Sequence, residues 1–306
     1  MAVSLRQLRC LVAVAETLHF RRAAERLGLS QPALSAQVAQ FEDTLGVLLV
    51  ERTRRRVLLT PVGREVADRA RAILRDVADL EQAAQAGSRP LAGTLRVGVL
   101  RTLGPYLLPH ILPVLRSRYP ELRLYLREEP QDRLLAELAH GDLDLLLVAA
   151  APRDDDHLTV RTLFREPLYA VLPLGHRLAE KQSLMPSDLA GERLIMLEEG
   201  DGMREPALVL CRQAGAAEHP DFRATSLDSL RQMVATGLGA TLLPALYVKA
   251  EAEADDQIAV RPFQPPPPGR PIDMVWRRTT SRVEEYRLLE RMIEDNLPDV
   301  VERAAG

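Results

Sequence analysis

The 306-residue sequence has only two cysteines, Cys10 and Cys211, too few for a disulfide framework. No stretch reaches the roughly 18 apolar residues of a membrane span. The opening Met1-Ala-Val-Ser-Leu-Arg6 has no apolar signal core, so a protein of the reducing cytoplasm, away from membranes, is expected. His19, His110, His140, His157, His176 and His219 are scattered without metal-ligand spacing. No P-loop, GxSxG, HExxH or CxxC pattern occurs. These absences argue against an enzyme and against a resident metal or cofactor. Capture of a solute outside the cell would also need an export signal.

The net charge of −3 gives no nucleic-acid signature for the chain as a whole, but its distribution does. Residues 1–60 hold nine arginines against five acidic side chains, a local +4 that leaves −7 for the remainder. A basic end on an acidic body fits a DNA-binding module joined to a domain with another task. The length suits about two domains.

The first 60 residues predict helices and a hairpin. Leu5, Leu8, Leu11, Val12 and Ala15 form a helical stripe, and a second short helix fits 20–27 with Ala23, Ala24 and Leu27 inward. Gly28 marks a tight turn. Ser30 is a helix cap, with Pro32 in the first turn where its missing N–H costs nothing. On this third helix Leu34, Val38, Phe41 and Leu45 define an inward face, and Gly46 ends it. Val47–Thr60 reads as a β-hairpin with a basic tip, Arg52-Thr-Arg-Arg-Arg56. Together these predict a winged helix-turn-helix over 1–60.

In that module Gln31 can pair bidentately with adenine, and Pro32 can touch a thymine methyl. Ser30 and Ser35 suit phosphate oxygens. Arg21 and Arg22 would clamp the backbone, and Arg52, Arg54 and Arg55 would meet phosphates or enter the minor groove. The plain alternative for Gln31 and Ser35 is a polar exposed helix face.

Thr60-Pro61 starts a long helix over 61–87, with Val66, Ala70, Ile73, Val77, Leu80 and Ala84 at heptad spacing. It reads as a dimerisation arm, or as a helix packed on its own neighbouring domain. After the hinge around 87–93 the pattern changes to alternating strands and helices, an α/β domain. Two subdomains are expected, 93–163 with 268–301 and 164–267, the chain crossing near 163–167 and returning near 264–271. Leu143–Ala149 is an apolar run suited to a buried parallel strand.

The segments Phe20-Arg-Arg-Ala-Ala-Glu-Arg-Leu-Gly-Leu-Ser-Gln-Pro-Ala-Leu-Ser35 and Leu45-Gly-Val-Leu-Leu-Val-Glu-Arg52 closely resemble the LysR-type transcriptional regulators. Within them, Gly104-Pro-Tyr-Leu-Leu-Pro-His-Ile111, 188–200, 222–228 and Leu242-Leu-Pro-Ala-Leu246 resemble the OxyR-type peroxide regulators. The resemblance implies a sensory domain shaped like a periplasmic binding protein and a homotetramer, a dimer of dimers, on double-stranded promoter DNA. It also implies RNA polymerase as a partner and activation of oxidative-stress genes.

One departure bears on sensing. The first redox cysteine of that group falls at Gly202 here, and the second matches Cys211. Gln131 and Asp221 stand where threonine and histidine are usual, while Thr102 is retained. The usual intrachain disulfide cannot form. Cys211, beside Leu208, Val209 and Leu210, is either a one-thiol redox sensor or a buried inert residue. The effector, peroxide or another small molecule, would sit between the subdomains. Thr102, Gly202, Thr225 and Ser226 are expected to line that pocket, unless Thr102 and Ser226 only cap their helices.

Overall fold

The computed structural model describes residues 3–52, 57–86 and 90–303. The chain forms two compact units, 1–89 and 90–306, described separately below.

In the first unit, α1 (Leu5–Thr17) is opened by a reciprocal cap in which Ser4 and Gln7 satisfy each other's backbone N–H groups. His19 caps α2 (Phe20–Arg26). Ser30 caps α3 (Gln31–Leu45), its hydroxyl accepting from the Ala33 N–H at 3.3 Å, and Gly46 closes it in the left-handed region. Leu34, Val38 and Phe41 of α3 are buried against Leu11, Val14 and Ala23. Each such side chain contributes roughly 1.5–3 kcal/mol. Leu45, expected on the same face, is 37% exposed because α3 ends there, beyond the core.

The wing consists of β1 (Val50–Arg52) and β2 (Val57–Leu59), antiparallel. Glu42 of α3 fixes its base by accepting the N–H groups of Leu49 (2.8 Å) and Val50 (3.0 Å). Helix α4 (Pro61–Ala86) follows, with Thr60 accepting the Gly63 N–H at 2.8 Å. A side chain at Gly63 would place its Cβ 2.0 Å from the Leu49 carbonyl oxygen, so only glycine lets α4 approach the wing. The expected seam of α4 divides along the helix. Ala70, with Ala67, is buried in the unit's core, whereas Ile73 and Leu80 further on are exposed, at 46% and 69%.

The second unit opens with β3 (Gly93–Val99), α5 (Gly104–Arg118), β4 (Leu122–Glu128), α6 (Gln131–His140) and β5 (Leu145–Ala149). Strands β3, β4 and β5 are parallel, and all of β5 is buried, as an apolar run covered on both sheet faces should be. Next comes β6 (Leu158–Pro173), one continuous strand of 16 residues that includes the segment 163–167 where the chain is expected to cross. The chain does not break because β6 has partners throughout its length. Its first part pairs with Gly269–Arg277, and its second with Thr241–Pro244 and Ile258–Arg261.

The other elements are β7 (Arg193–Leu197), α7 (Arg204–Ala214), β8 (Ala217–Ala224), α8 (Leu227–Ala235), β9 (Thr241–Pro244), the short α9 (Ala245–Tyr247), β10 (Ile258–Arg261), β11 (Gly269–Arg277), α10 (Val283–Asp295) and β12 (Glu302–Arg303). Strand β12, at the far C-terminus, was not anticipated. It pairs with Arg165 and Phe164 of β6.

Two hydrophobic cores result. One gathers β3, β5, α5, α6 and α10 with Leu163 and Phe164. The other gathers Leu168–Leu172 with β7, α7, α8 and β9. Strand β6 thus belongs to both, and β11 runs antiparallel beside it.

Candidate functional site

Helix α3 is set up for groove contact by its own amphipathicity. With Leu34, Val38 and Phe41 anchored inward, Gln31, Pro32 and Ala36 are exposed and Ser35 is half-buried. Ser30 is exposed and serves as the α3 cap. Arg21 and Arg22 are exposed on α2, and Arg21 pairs with Glu25 at 3.0 Å, a surface i,i+4 pair of small energy. Arg52 ends β1, while Arg54 and Arg55 lie outside the described residues.

In the second unit, the Thr102 side chain meets a buried hub. Arg270 of β11 and Glu166 of β6 are cross-strand partners, and both are fully buried. Arg270 Nε and Nη2 donate to Glu166 Oε2 at 2.9 and 2.7 Å. Nη2 also donates to the Thr102 carbonyl at 3.0 Å, and Nη1 to Thr102 Oγ1 at 2.9 Å and the Asp201 carbonyl at 3.4 Å. All five guanidinium N–H groups are therefore used. Thr102 Oγ1 donates to the same Asp201 carbonyl at 2.8 Å, and Glu166 Oε1 accepts the Leu246 N–H at 3.0 Å. The hub joins the turn after β3, the turn after β7, and both strands shared by the subdomains.

Gly202 sits beside this hub with φ +69°, a conformation that favours glycine. A Cβ there would lie 2.7 Å from Ala149 Cβ, 2.9 Å from Leu100 Cδ1 and 3.7 Å from Arg270 Nη1. A side chain there would require Ala149 or Leu100 to shift. Neighbouring Asp201 is 2% exposed, and burial pushes its carboxyl above the usual range, opposed by Arg101 and Arg270.

A cavity of about 820 Å³ opens between α6, α7 and the 199–204 turn. Gly202 lines it; Thr102 lies in the hub, and neither Thr225 nor Ser226 borders the cavity. Thr225 and Ser226 are exposed ahead of α8, where Ser226 accepts the Ser229 N–H at 3.1 Å and so acts as its cap. The four residues expected to line one pocket are thus not brought together around this cavity. Helix-start residues resemble ligand groups in sequence because caps and anion sites use the same hydroxyls and N–H groups.

Cys211 of α7 is 3% exposed in the second core. Burial, followed by Glu218, pushes its thiol pKa up, and nearby Arg212 only opposes this. Burial likewise raises the Cys10 thiol. Both effects run against thiolate formation, which a reactive thiol needs together with access.

Residues 5–64 match the family described as "Bacterial regulatory helix-turn-helix protein, lysR family", and residues 88–298 match "LysR substrate binding domain". The chain belongs to the LysR family. Among curated LysR-family relatives, it is 43% identical over 291 residues to the "DNA-binding transcriptional dual regulator OxyR" of Escherichia coli (strain K12), covering 95% of each protein. It is 41% identical to a "Probable hydrogen peroxide-inducible genes activator" of Streptomyces viridosporus, covering 97% of this chain and 95% of the relative. Among solved structures, full-length OxyR of Pseudomonas aeruginosa, bearing a cysteine-to-aspartate change, superposes with a TM-score of 0.81 and 35% identity, covering 100% and 99% of the two chains.

This LysR-family protein is an OxyR-like DNA-binding transcriptional regulator, and its relatives are regulators rather than enzymes by name. Among the described residues, no helix is long and apolar enough to cross a membrane. Sequence reasoning missed Glu166 and Arg270. An acid and an arginine 104 positions apart carry no local pattern, and only the antiparallel register of β6 and β11 makes them partners.

Proposed function

We propose that this regulator binds double-stranded promoter DNA with the exposed start of α3 in the major groove and the wing arginines on the backbone. The observation that carries this reading is the division of α3. Leu34, Val38 and Phe41 anchor it, while Gln31 and Pro32 stay exposed at its N-terminal end. Ser30, Ser35, Arg21, Arg22, Arg52, Arg54 and Arg55 supply the phosphate contacts. The protein works in the cytoplasm as a dimer of dimers, with Ile73 and Leu80 of α4 facing a second copy, and it acts on RNA polymerase at the promoters it occupies. Their exposure supports this: an apolar stripe on a 26-residue helix lowers its free energy when another chain covers it.

The relatives named as hydrogen peroxide-inducible genes activators support a role in oxidative-stress control. The chemistry of the sensor differs from an intrachain thiol switch. Position 202 carries no thiol, and both cysteines are buried with raised thiol pKa. We propose that the 820 Å³ cavity instead receives a small-molecule effector, with Gly202 in its wall and Thr102 holding the adjoining turn from behind.

An electrophoretic mobility shift with the protein's own upstream DNA tests the first reading. Specific binding at low salt, weakened by Gln31→Ala, is expected, and no binding to any promoter fragment would overturn it. Peroxide treatment followed by alkylation and mass spectrometry tests the second. Both cysteines should remain alkylatable after unfolding, and a Cys10–Cys211 disulfide would refute it.

A further inference from the structure

The charge left over in the cavity wall points to one class of occupant. Two arginines line the cavity, but both are engaged. Arg165 donates to Glu302 at 2.8 Å and to the Pro267 carbonyl at 2.6 Å, and Arg204 donates to Glu218 at 2.6 Å. Glu205 is likewise matched by Arg212 at 3.1 Å. Asp132 and Glu199 remain, lining carboxylates with no ion-pair partner among the described residues. They flank Gly200, and Asp132 Oδ1 would lie 3.6 Å from a Cβ placed there.

The other polar observations agree in sign. Gln131 Oε1, in the same wall, has no donor. At the start of α6 the Gln131 N–H donates to the Gly200 carbonyl at 2.8 Å and Asp132 stands in the first turn, which together offset part of the helix's positive end. Leu135, Pro206, Leu208 and Val209 supply hydrocarbon wall, and Val209 is 37% exposed.

We propose that this cavity takes an amphipathic organic cation. An ammonium or amidinium group sits between Asp132 and Glu199, and the hydrocarbon part lies on Leu135, Leu208 and Val209. The proposal rests on the reading of the cavity as the effector site and adds the chemical class. Apolar walls provide the affinity, and the two carboxylates select the sign of the headgroup.

Calorimetric titration of the full chain with n-hexylammonium, n-hexanoate and 1-hexanol tests it, alongside thermal unfolding. Hexylammonium should bind at least tenfold more tightly than hexanoate and raise the unfolding temperature, with the preference shrinking as salt is added. The double variant Asp132→Asn, Glu199→Gln should lose at least tenfold for hexylammonium while binding 1-hexanol unchanged. Both side chains are exposed, so the variant keeps its fold and its shift of promoter DNA. Hexanoate binding as tightly as hexylammonium, or no loss in the double variant, would overturn the cation class and leave the effector cavity standing. Failure of all three probes to bind would remove the cavity reading as well, without touching the assignment of α3 to DNA.

Discussion

Arg270 and Glu166 meet face to face across β6 and β11 with no exposed surface on either side chain, Nη2 lying 2.7 Å from Oε2. Breaking such a pair costs more than forming it gains, because the survivor is a buried unpaired charge. Arg270→Met should therefore destabilise the second unit by about 3–5 kcal/mol. Glu166→Gln in the same chain should recover part of that, since the amide oxygen can still accept the Leu246 N–H. Urea unfolding of the two single variants and the double variant measures the coupling; additive losses would show that the pair does not act as a unit.

Gly202 gives a steric prediction. Gly202→Ala places a methyl 2.7 Å from Ala149 Cβ in a positive-φ conformation. A loss of roughly 1–3 kcal/mol is expected, read as a fall in unfolding temperature. Ala149→Gly should restore part of it by removing the facing methyl. An unchanged unfolding temperature for Gly202→Ala would show that the turn yields freely, and a cysteine could then be seated there.

The DNA-facing residues should separate by what they touch. Gln31→Ala should cost about 1–3 kcal/mol of specific binding with little change in non-specific affinity. Arg22→Ala should weaken specific and non-specific binding alike and lower the salt slope by about one. Anisotropy titrations over a range of salt concentrations distinguish the two patterns. A Gln31→Ala variant with undiminished sequence preference would remove base reading from that residue.

Asp201 predicts a pH dependence. Its carboxyl is held above the usual carboxylate range in the folded protein, chiefly by burial. The folded state therefore binds the proton more tightly than the unfolded state, so this group's penalty is absent at low pH. It grows as pH rises from the ordinary Asp value through the raised one, and it is complete above that. Asp201→Asn should stabilise the protein modestly at neutral pH, because the amide has no charge to bury, with the lost attraction to Arg101 Nε at 3.6 Å offsetting part of the gain. The gain should vanish toward pH 4. Thermal unfolding against pH gives the curve, and a gain that persists in acid would contradict the assignment.

Local rules determined the first unit. Hydrophobic spacing in α1 and α3, the Ser30 cap, the Gly46 stop and the Thr60-Pro61 start are each encoded within a few residues of where they act, so the helices and wing could be read directly. The same rules located the α/β alternation and the buried β5. It was the resemblance to the OxyR-type regulators, not a local rule, that marked Gly202 as the place where a thiol is missing.

Tertiary structure alone decided the rest. Leu45 of α3 falls outside the core, and the seam of α4 is buried at Ala70 but exposed at Ile73 and Leu80, because burial depends on which neighbours arrive. The Arg270–Glu166–Thr102 hub and the cavity between α6 and α7 draw on residues up to 168 positions apart. Sequence periodicity reports a side chain's preference for water or oil over one or two helical turns. It holds no record of which distant strand will bring a charge to neutralise it, and that pairing exists only once the sheet has closed.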